Sequence, residues 1–188
     1  MPTTPFQRLI AYWVYGGTSA GIVLLLFAPL IIQGWRLPAS LTFLCLPLYM
    51  LHQFEEHDDD RFRRFVNIVV CKGRQGLSLA DVFWINVVGV WCLLSLTLWL
   101  VLNLDPGWSA LAAWLLVINA AAHIGQALAL RRYNPGLVTA LLLLLPLGLT
   151  LLVWGQASLV QFGLSALFAV VVHLGLLARL RYNLARQA

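Results

Sequence analysis

The hexapeptide His52-Gln53-Phe54-Glu55-Glu56-His57 places two imidazoles and two carboxylates at the end of an apolar segment. Imidazole nitrogens and carboxylate oxygens are the usual ligands of catalytic zinc and non-haem iron, and they also transfer protons. Within a membrane span, each charged group costs about 3 kcal/mol unless it is paired. Four such groups in a segment that is otherwise apolar therefore predict a functional site.

Helical spacing places three of these groups on one face. His52, Glu55 and Glu56 are related as i, i+3 and i+4, so they project from the same side of a helix. The two carboxylates are adjacent, about 100° apart, and cannot point at one centre in the same way. We predict that one binds a metal ion and that the other is a general acid/base. The i, i+3 pairing of a carboxylate with a histidine recurs in helical metal sites and favours Glu55 as the ligand.

The alternative for this motif is a charged helix end at the membrane surface, with its carboxylates paired to the arginines of the loop that follows. His57 and the three aspartates Asp58–Asp60 fit that interpretation best. We predict that they form a solvated boundary whose charge is balanced by the basic loop.

The rest of the chain predicts the helices that must hold these groups. Hydrophobic residues make up 61% of the 188 residues and charged residues only 10%. A run of about 20 apolar residues spans the hydrocarbon core of a bilayer. Six such runs occur: Ile10–Ile32, Pro38–His57, Leu79–Leu104, Trp108–Leu130, Pro135–Trp154 and Leu159–Leu180. We therefore predict an all-α polytopic membrane protein, a single domain formed by a bundle of six transmembrane helices, in the inner (plasma) membrane of a bacterium.

The distribution of charge predicts the orientation of this bundle. The net charge is +5, and of the 12 basic residues only Arg36 falls outside if the amino terminus is cytoplasmic. Basic residues concentrate on the cytoplasmic side of membrane proteins. Both termini are therefore predicted to be cytoplasmic. The basic excess is explained by topology, and we predict no nucleic-acid partner.

The long loop after the second run carries its own pattern. In the segment 60–72, five apolar residues recur at i, i+3, i+4, i+7 and i+8, and arginines occupy the opposite face. This pattern is typical of an amphipathic helix lying at the headgroup layer. An irregular solvated loop with a few buried anchors is the alternative. The Ser78-Leu79-Ala80-Asp81 sequence predicts a capping box that opens the third span.

Other polar residues in the spans share the depth of the motif. Counted from the cytoplasmic ends, His52 and His173 lie roughly 9 Å deep, and His123 and Asn86 roughly 12 Å deep. These residues come from four different helices and occupy one layer of the inner leaflet. We therefore predict that they converge, although each histidine or amide could instead form an ordinary interhelical hydrogen bond.

The fourth span also has a polar stripe around His123. Asn119 precedes His123 by four residues and Gln126 follows it by three, so all three share a face. Lipid offers no hydrogen-bond partner, so the face must point into the bundle. We predict that Asn119, Gln126 and Asn86 support the site.

The sequence His52-Gln53-Phe54-Glu55-Glu56 resembles the defining motif of the HXXEE family of small bacterial integral membrane proteins. The resemblance extends through the His123 region and the Tyr133-Asn134-Pro135-Gly136 turn. It implies a membrane location and a functional role for His52, Glu55 and Glu56, and it implies no particular activity.

The functional hypothesis is a membrane-embedded enzyme with a divalent metal ion, zinc or iron, that acts on an apolar small-molecule substrate from a cytoplasmic-side cavity. The predicted ligands are His52, Glu55, His123 and His173, and the remaining carboxylate, Glu56, is the predicted acid/base. One competing hypothesis is a metal-free isomerase or cyclase in which a glutamate and a histidine shuttle a proton. A second is a cation or proton transporter, and a third is a purely structural membrane protein.

Overall fold

A computed structural model describes residues 4–187, which form helices and short connections without any strand. Six helices are long and apolar enough to cross a membrane. A short helix, α3, follows the second of them. The helices are α1 (Pro5–Ile31), α2 (Leu37–His57), α3 (Arg61–Phe65), α4 (Leu79–Asn103), α5 (Pro106–Leu130), α6 (Leu137–Trp154) and α7 (Leu159–Ala185). The predicted fold class, an all-helical protein with six helices of spanning length, is confirmed.

Local sequence explains where several helices begin. Thr4, Ser78 and Ser158 each accept a hydrogen bond from a backbone N–H three residues later, and the side chain of that later residue bonds back. This reciprocal capping satisfies N–H groups that a helix start leaves unpaired. The capping box predicted at Ser78 is confirmed. The box at Thr4 lets α1 begin five residues before the predicted span.

A tight turn joins α2 to α3. Asp59 and Asp60 adopt left-handed backbone angles, with φ of 51° and 59°. Each aspartate of the turn pairs with an arginine of α3: Asp58 with Arg61 at 3.2 Å, Asp59 with Arg64 at 2.7 Å, and Asp60 with Arg63. The aspartates thus form the charge-balanced boundary that the sequence predicts, and a helix occupies much of segment 60–72. Its position at the headgroup layer stays a prediction.

The main apolar core lies between α2, α4, α5 and α6, and a second cluster packs α1 against the segment after α3 and the start of α4. Its fully buried side chains include Cys45 of α2, Leu116 of α5, and Leu144 and Leu151 of α6. By contrast, α7 buries only Ser165 and Ala169. Helices α2 and α5 are therefore fixed at the centre of the bundle, and they carry the motif histidine and His123.

Candidate metal centre

Three side chains converge where α2 and α5 meet. His52, Glu56 and His123 are all buried, and one potential ligand atom of each lies within 4.8 Å of the others. The Nε2 atom of His52 is 3.7 Å from Oε2 of Glu56, and Nε2 of His123 is 3.5 Å from Oε1. His52 and Glu56 share a face because they are four residues apart on α2. The three residues could hold a metal ion.

These separations can be compared with those of a bound ion. Zinc binds imidazole nitrogen at about 2.0–2.1 Å, and in a tetrahedron two ligand atoms are then about 3.4 Å apart. The two nitrogen–oxygen distances from Glu56, 3.7 and 3.5 Å, are close to that value. They run to different oxygens of the carboxylate, so Glu56 could bind an ion through either oxygen or through both.

The second ring nitrogen of His52 fixes which atom faces Glu56. Its Nδ1 lies 2.9 Å from the hydroxyl of Thr139, and that hydroxyl lies 2.5 Å from Oε2 of Glu55. A carboxylate accepts hydrogen bonds, so the single hydroxyl proton of Thr139 goes to Glu55. The hydroxyl oxygen must then accept from Nδ1–H of His52. The Nε2 atom that points at Glu56 therefore carries a lone pair.

His123 is held in the same tautomer by Asn134. The amide nitrogen of Asn134 donates to the backbone oxygen of His123 at 2.9 Å, which assigns its other atom as the oxygen. That oxygen lies 2.7 Å from Nδ1 of His123 and accepts its proton. In the neutral ring, the Nε2 atom of His123 consequently also directs a lone pair at Glu56.

With both rings neutral, His52 and His123 thus present only acceptor atoms to Glu56, and the nearby ring that can donate to this carboxylate is His57, whose Nε2 lies 3.1 Å from Oε2. Nε2 of His52 is buried and has no hydrogen-bond partner among the described residues. Buried polar atoms in proteins are almost always paired, because an unpaired one costs about 1–3 kcal/mol. A cation bound by both imidazoles and Glu56 would pair all three groups at once. Orientation of metal-binding histidines by hydrogen bonds to their second nitrogen is a general property of metal sites.

Gly136 lies directly against both rings. Its φ of +96° belongs to the left-handed region. A Cβ atom at this position would lie 2.7 Å from Cε1 of His123 and 2.9 Å from Cε1 of His52. Only glycine fits both the backbone angle and the space. The 134–139 segment therefore covers one side of the centre and holds both histidines.

The carboxylate of Glu55, a residue of α2, lies against the amino-terminal end of α6 and outside the cluster. It accepts hydrogen bonds from the backbone N–H groups of Val138 and Thr139, at 3.1 and 2.7 Å, and from two hydroxyl groups, those of Thr139 and Tyr133. Burial and this bond to Glu55 raise the pKa of Tyr133 to about 12. The phenol therefore keeps its proton and acts as a donor. Helix N-termini attract carboxylates through their free N–H groups and dipole.

Residues 43–151 match a family described as "Protein of unknown function with HXXEE motif". The chain belongs to this family. The match includes the motif itself, α5, the 134–139 segment and most of α6. No curated protein and no solved structure is significantly similar to the chain.

The HXXEE motif supplies the cluster with a different carboxylate from the one predicted as ligand. The cluster contains Glu56, whereas the predicted ligand was Glu55. The difference arises because the N-terminus of α6 packs against α2 and takes up the Glu55 carboxylate. The assignment of one glutamate as ligand and the other as acid/base stays a prediction.

His173, the fourth predicted ligand, is not in the cluster either. Its Nδ1 lies 2.8 Å from the backbone oxygen of Ala169, one turn earlier on α7. The side chain lines a cavity that also reaches Glu56 and His123. His173 therefore borders the same cavity and is not one of the three converging residues.

The three supporting polar residues also border this cavity. Asn86 accepts a hydrogen bond from Gln53 at 3.0 Å, which ties α4 to the motif. Asn119 donates to the hydroxyl of Tyr49 at 3.0 Å, and its oxygen is buried without a partner. Gln126 lines the cavity one turn beyond His123.

His57 is the residue whose position differs most from the sequence-based expectation. The sequence predicts a solvated boundary, yet only 7% of its surface is exposed, and its Nε2 lies 3.1 Å from Oε2 of Glu56. The rings of Trp13 and Phe62 pack on it, at centroid distances of 5.2 and 5.7 Å. The position of His57 within the motif was the only sign that it belongs to the centre. No pattern in the sequence showed that α1 covers it.

Three further residues of the centre had weaker signals or none. Asn134 and Gly136 lie in a turn signature, which indicates a turn and does not indicate contact with His123. Thr139 is a single hydroxyl residue in an apolar run, and threonines in such runs commonly bond to their own helix. Only the docking of α6 on α2 brings Thr139 to His52.

The cavity beside the centre has a volume of about 600 Å³. Its walls come from α2, from α3 and the segment after it, and from α4, α5 and α7, and most of its lining is apolar. The polar groups Glu56, His57 and His123 lie at one part of the wall. This volume is within the range of ligand-binding pockets, roughly 300–1,000 Å³.

Proposed function

We propose that this HXXEE protein is a membrane-embedded, metal-dependent enzyme that acts on a lipophilic substrate. The ion is bound by His52, Glu56 and His123, at a centre that faces the cytoplasmic half of a bacterial inner membrane. One observation carries the proposal: two imidazoles and the carboxylate of Glu56 converge in a buried site, and Nε2 of His52 has no hydrogen-bond partner among the described residues.

The ligand types favour zinc or iron(II). Two histidines and one carboxylate with an open position form a common catalytic zinc set and also the facial triad of non-haem iron enzymes. Calcium and magnesium prefer oxygen ligands, and the centre offers only one carboxylate. A bound ion of this kind would polarise a carbonyl group or lower the pKa of a coordinated water.

The residues around the ion have distinct roles in this proposal. Thr139 and Asn134 hold the histidines in the tautomer that presents Nε2 to the ion. Glu55 fixes Thr139 and thereby acts as a positioning residue. His57 borders both Glu56 and the cavity, so it is placed to carry a proton between the centre and a substrate.

A metal-free enzyme is the second candidate, because one distance favours it. His57 Nε2 and Glu56 Oε2 are 3.1 Å apart, close enough for direct proton transfer. Such a pair could move a proton on an apolar double bond or ring, as an isomerase or a cyclase requires. In this case Glu56 would be the base, and His52 and His123 would have to carry a proton on Nε2 to stabilise its charge.

Metal analysis of the purified full-length protein separates the two candidates. We expect one zinc or iron per chain after purification in mild detergent, and re-uptake of one equivalent after chelation. The double variant His52→Gln/His123→Gln, matched in size and hydrogen-bonding capacity, should bind none. A folded wild-type protein that takes up neither metal would overturn the metal-dependent proposal in favour of the metal-free one.

A further inference from the structure

The cavity beside the centre lies between two helices that do not close around it. In residues 4–187, the hydrogen bonds between α4 and α7 all involve Asp81, in the first turn of α4. Asp81 accepts from Arg179 at 3.0 Å and from Asn183 at 3.1 Å. Farther along, facing side chains of α4 and α7 border the cavity. The two helices are therefore joined at one end and separated along the membrane depth.

The exposure of the lining confirms that the cavity is open on this side. Phe168 and Leu177 of α7 line it, yet they keep 42% and 54% of their surfaces exposed. Both helices are of spanning length, so a gap between them at this depth faces hydrocarbon. A molecule that enters through the gap comes from the bilayer.

The lining also has a defined polarity. Apolar side chains of α4 and α7 form most of the wall, and the described lining residues include no lysine or arginine. The polar part contains the carboxylate of Glu56, the imidazoles of His57, His123 and His173, and the neutral amides of Asn86, Asn119 and Gln126. An uncharged hydroxyl or amide head group can exchange hydrogen bonds with these amides. An anionic head group such as phosphate would instead lie beside the Glu56 carboxylate, with no lysine or arginine in the described lining to balance its charge.

We infer that the cavity binds a single-chain lipid with an uncharged, hydrogen-bonding head group, which enters from the bilayer between α4 and α7. The head group lies beside Asn119 and the centre, and the hydrocarbon chain lies along the apolar walls. The inference rests on the proposed function only for what happens to the head group.

Gly89 provides a way to fill the cavity without disturbing the centre. It lines the cavity, and a Cβ added there would meet only the backbone oxygen of Trp84, at an ordinary contact distance of 3.7 Å. A leucine at this position would project into the space of the lipid chain. Gly175 of α7 is a matched control, because a Cβ there has no neighbour within 4 Å and the residue is not part of the lining.

The test uses full-length protein in nanodiscs and a hexadecanol carrying a diazirine in its chain. We expect saturable photolabelling on the cavity side of α4 and α7, competed by unlabelled hexadecanol and poorly by hexadecyl phosphate. Gly89→Leu should reduce the saturable labelling about tenfold, and Gly175→Leu should leave it unchanged. Metal content and thermal unfolding are measured on the same samples.

The outcomes separate this inference from the proposed function. Saturable labelling that Gly89→Leu removes supports the lipid site, even if the wild-type protein binds no metal. Labelling that does not saturate, or that survives Gly89→Leu, overturns the inference, even if metal is bound. If hexadecyl phosphate competes as well as hexadecanol, the inference that the head group is uncharged is overturned. Cross-links between two chains through the α4–α7 face, with no lipid labelling, would show that a second copy covers the cavity and would also overturn it.

Discussion

The imidazole Nδ1 of His52 lies 2.9 Å from the hydroxyl of Thr139, although the two residues are 87 positions apart in the chain. This contact joins α2 to α6 and determines which nitrogen of His52 faces the centre. The same hydroxyl donates to Glu55, so a carboxylate, a hydroxyl and an imidazole form one chain of hydrogen bonds. The second glutamate of the motif is thereby left to face both histidines.

Glu55 and Glu56 should respond differently to the same substitution. Glu56→Gln removes the anionic ligand, so we expect metal affinity to fall by more than about 100-fold. Glu55→Gln keeps the ligand set and weakens only the support of Thr139, so a loss of about tenfold or less is expected. Titration of the chelated protein with zinc, followed by metal analysis, measures both. Equal losses at the two positions would contradict the arrangement.

The hydroxyl of Thr139 should matter more than its size. Thr139→Val keeps the shape but leaves Nδ1 of His52 without an acceptor, so metal affinity should fall about 10–100-fold. Thr139→Ser keeps the hydroxyl and should bind metal within a few-fold of the wild type. Competition with a chromophoric chelator gives the two affinities. If Thr139→Val binds the metal as tightly as Thr139→Ser, the hydrogen-bond chain does not position His52.

The two histidines of α5 and α7 provide a matched comparison. His123→Gln should lose the metal, because its Nε2 is one of three converging ligand atoms. His173→Gln should keep it, since His173 bonds to Ala169 of its own helix and lies outside the cluster. The measurement is metal per chain after purification. Loss of metal from His173→Gln would restore His173 to the ligand set.

Gly136→Ala should destabilise the protein and weaken the centre. The substitution forces an L residue into a φ of +96° and places a methyl group against both imidazoles. We expect a loss of more than about 1 kcal/mol in unfolding free energy together with lower metal content. Gly73→Ala is the control, since φ there is +85° and no atom lies within 4 Å of an added Cβ. If Gly136→Ala and Gly73→Ala lower stability and metal content equally, backbone strain alone explains the effect, and the contact with the imidazoles does not contribute.

The orientation of the bundle is a separate prediction. A reporter fused after Ala188 should be active only on the cytoplasmic side, because a six-helix bundle with this distribution of basic residues has both termini inside. A reporter inserted in the turn at 155–158 should be active only on the outer side. Activity of the Ala188 fusion outside the membrane would require a different number of spans.

Helical periodicity and counting from the helix ends predicted that His52 and His123, which lie on different helices, come close together. The counts place them roughly 9 and 12 Å deep, and this depth stays a prediction. The structure brings these two together. Asn86 joins the same region through Gln53.

The rotation of each helix about its axis could not be predicted in the same way. Glu55 and Glu56 differ by about 100° around α2, and the free N–H groups of α6 decide which of them turns away from the centre. His57 is at a helix end, where solvent is the usual neighbour, but Trp13 of α1 covers it. Such choices depend on contacts between distant segments and leave no periodic signal.

The region that matches the family, residues 43–151, contains every residue of the centre and ends before α7 begins. One wall of the cavity therefore belongs to a part of the chain that contributes nothing to the ligand cluster. Side chains on that wall can change in size without moving His52, Glu56 or His123. Under the proposed function, substitutions in α7 would change the shape of one cavity wall and leave the ligand cluster as it is.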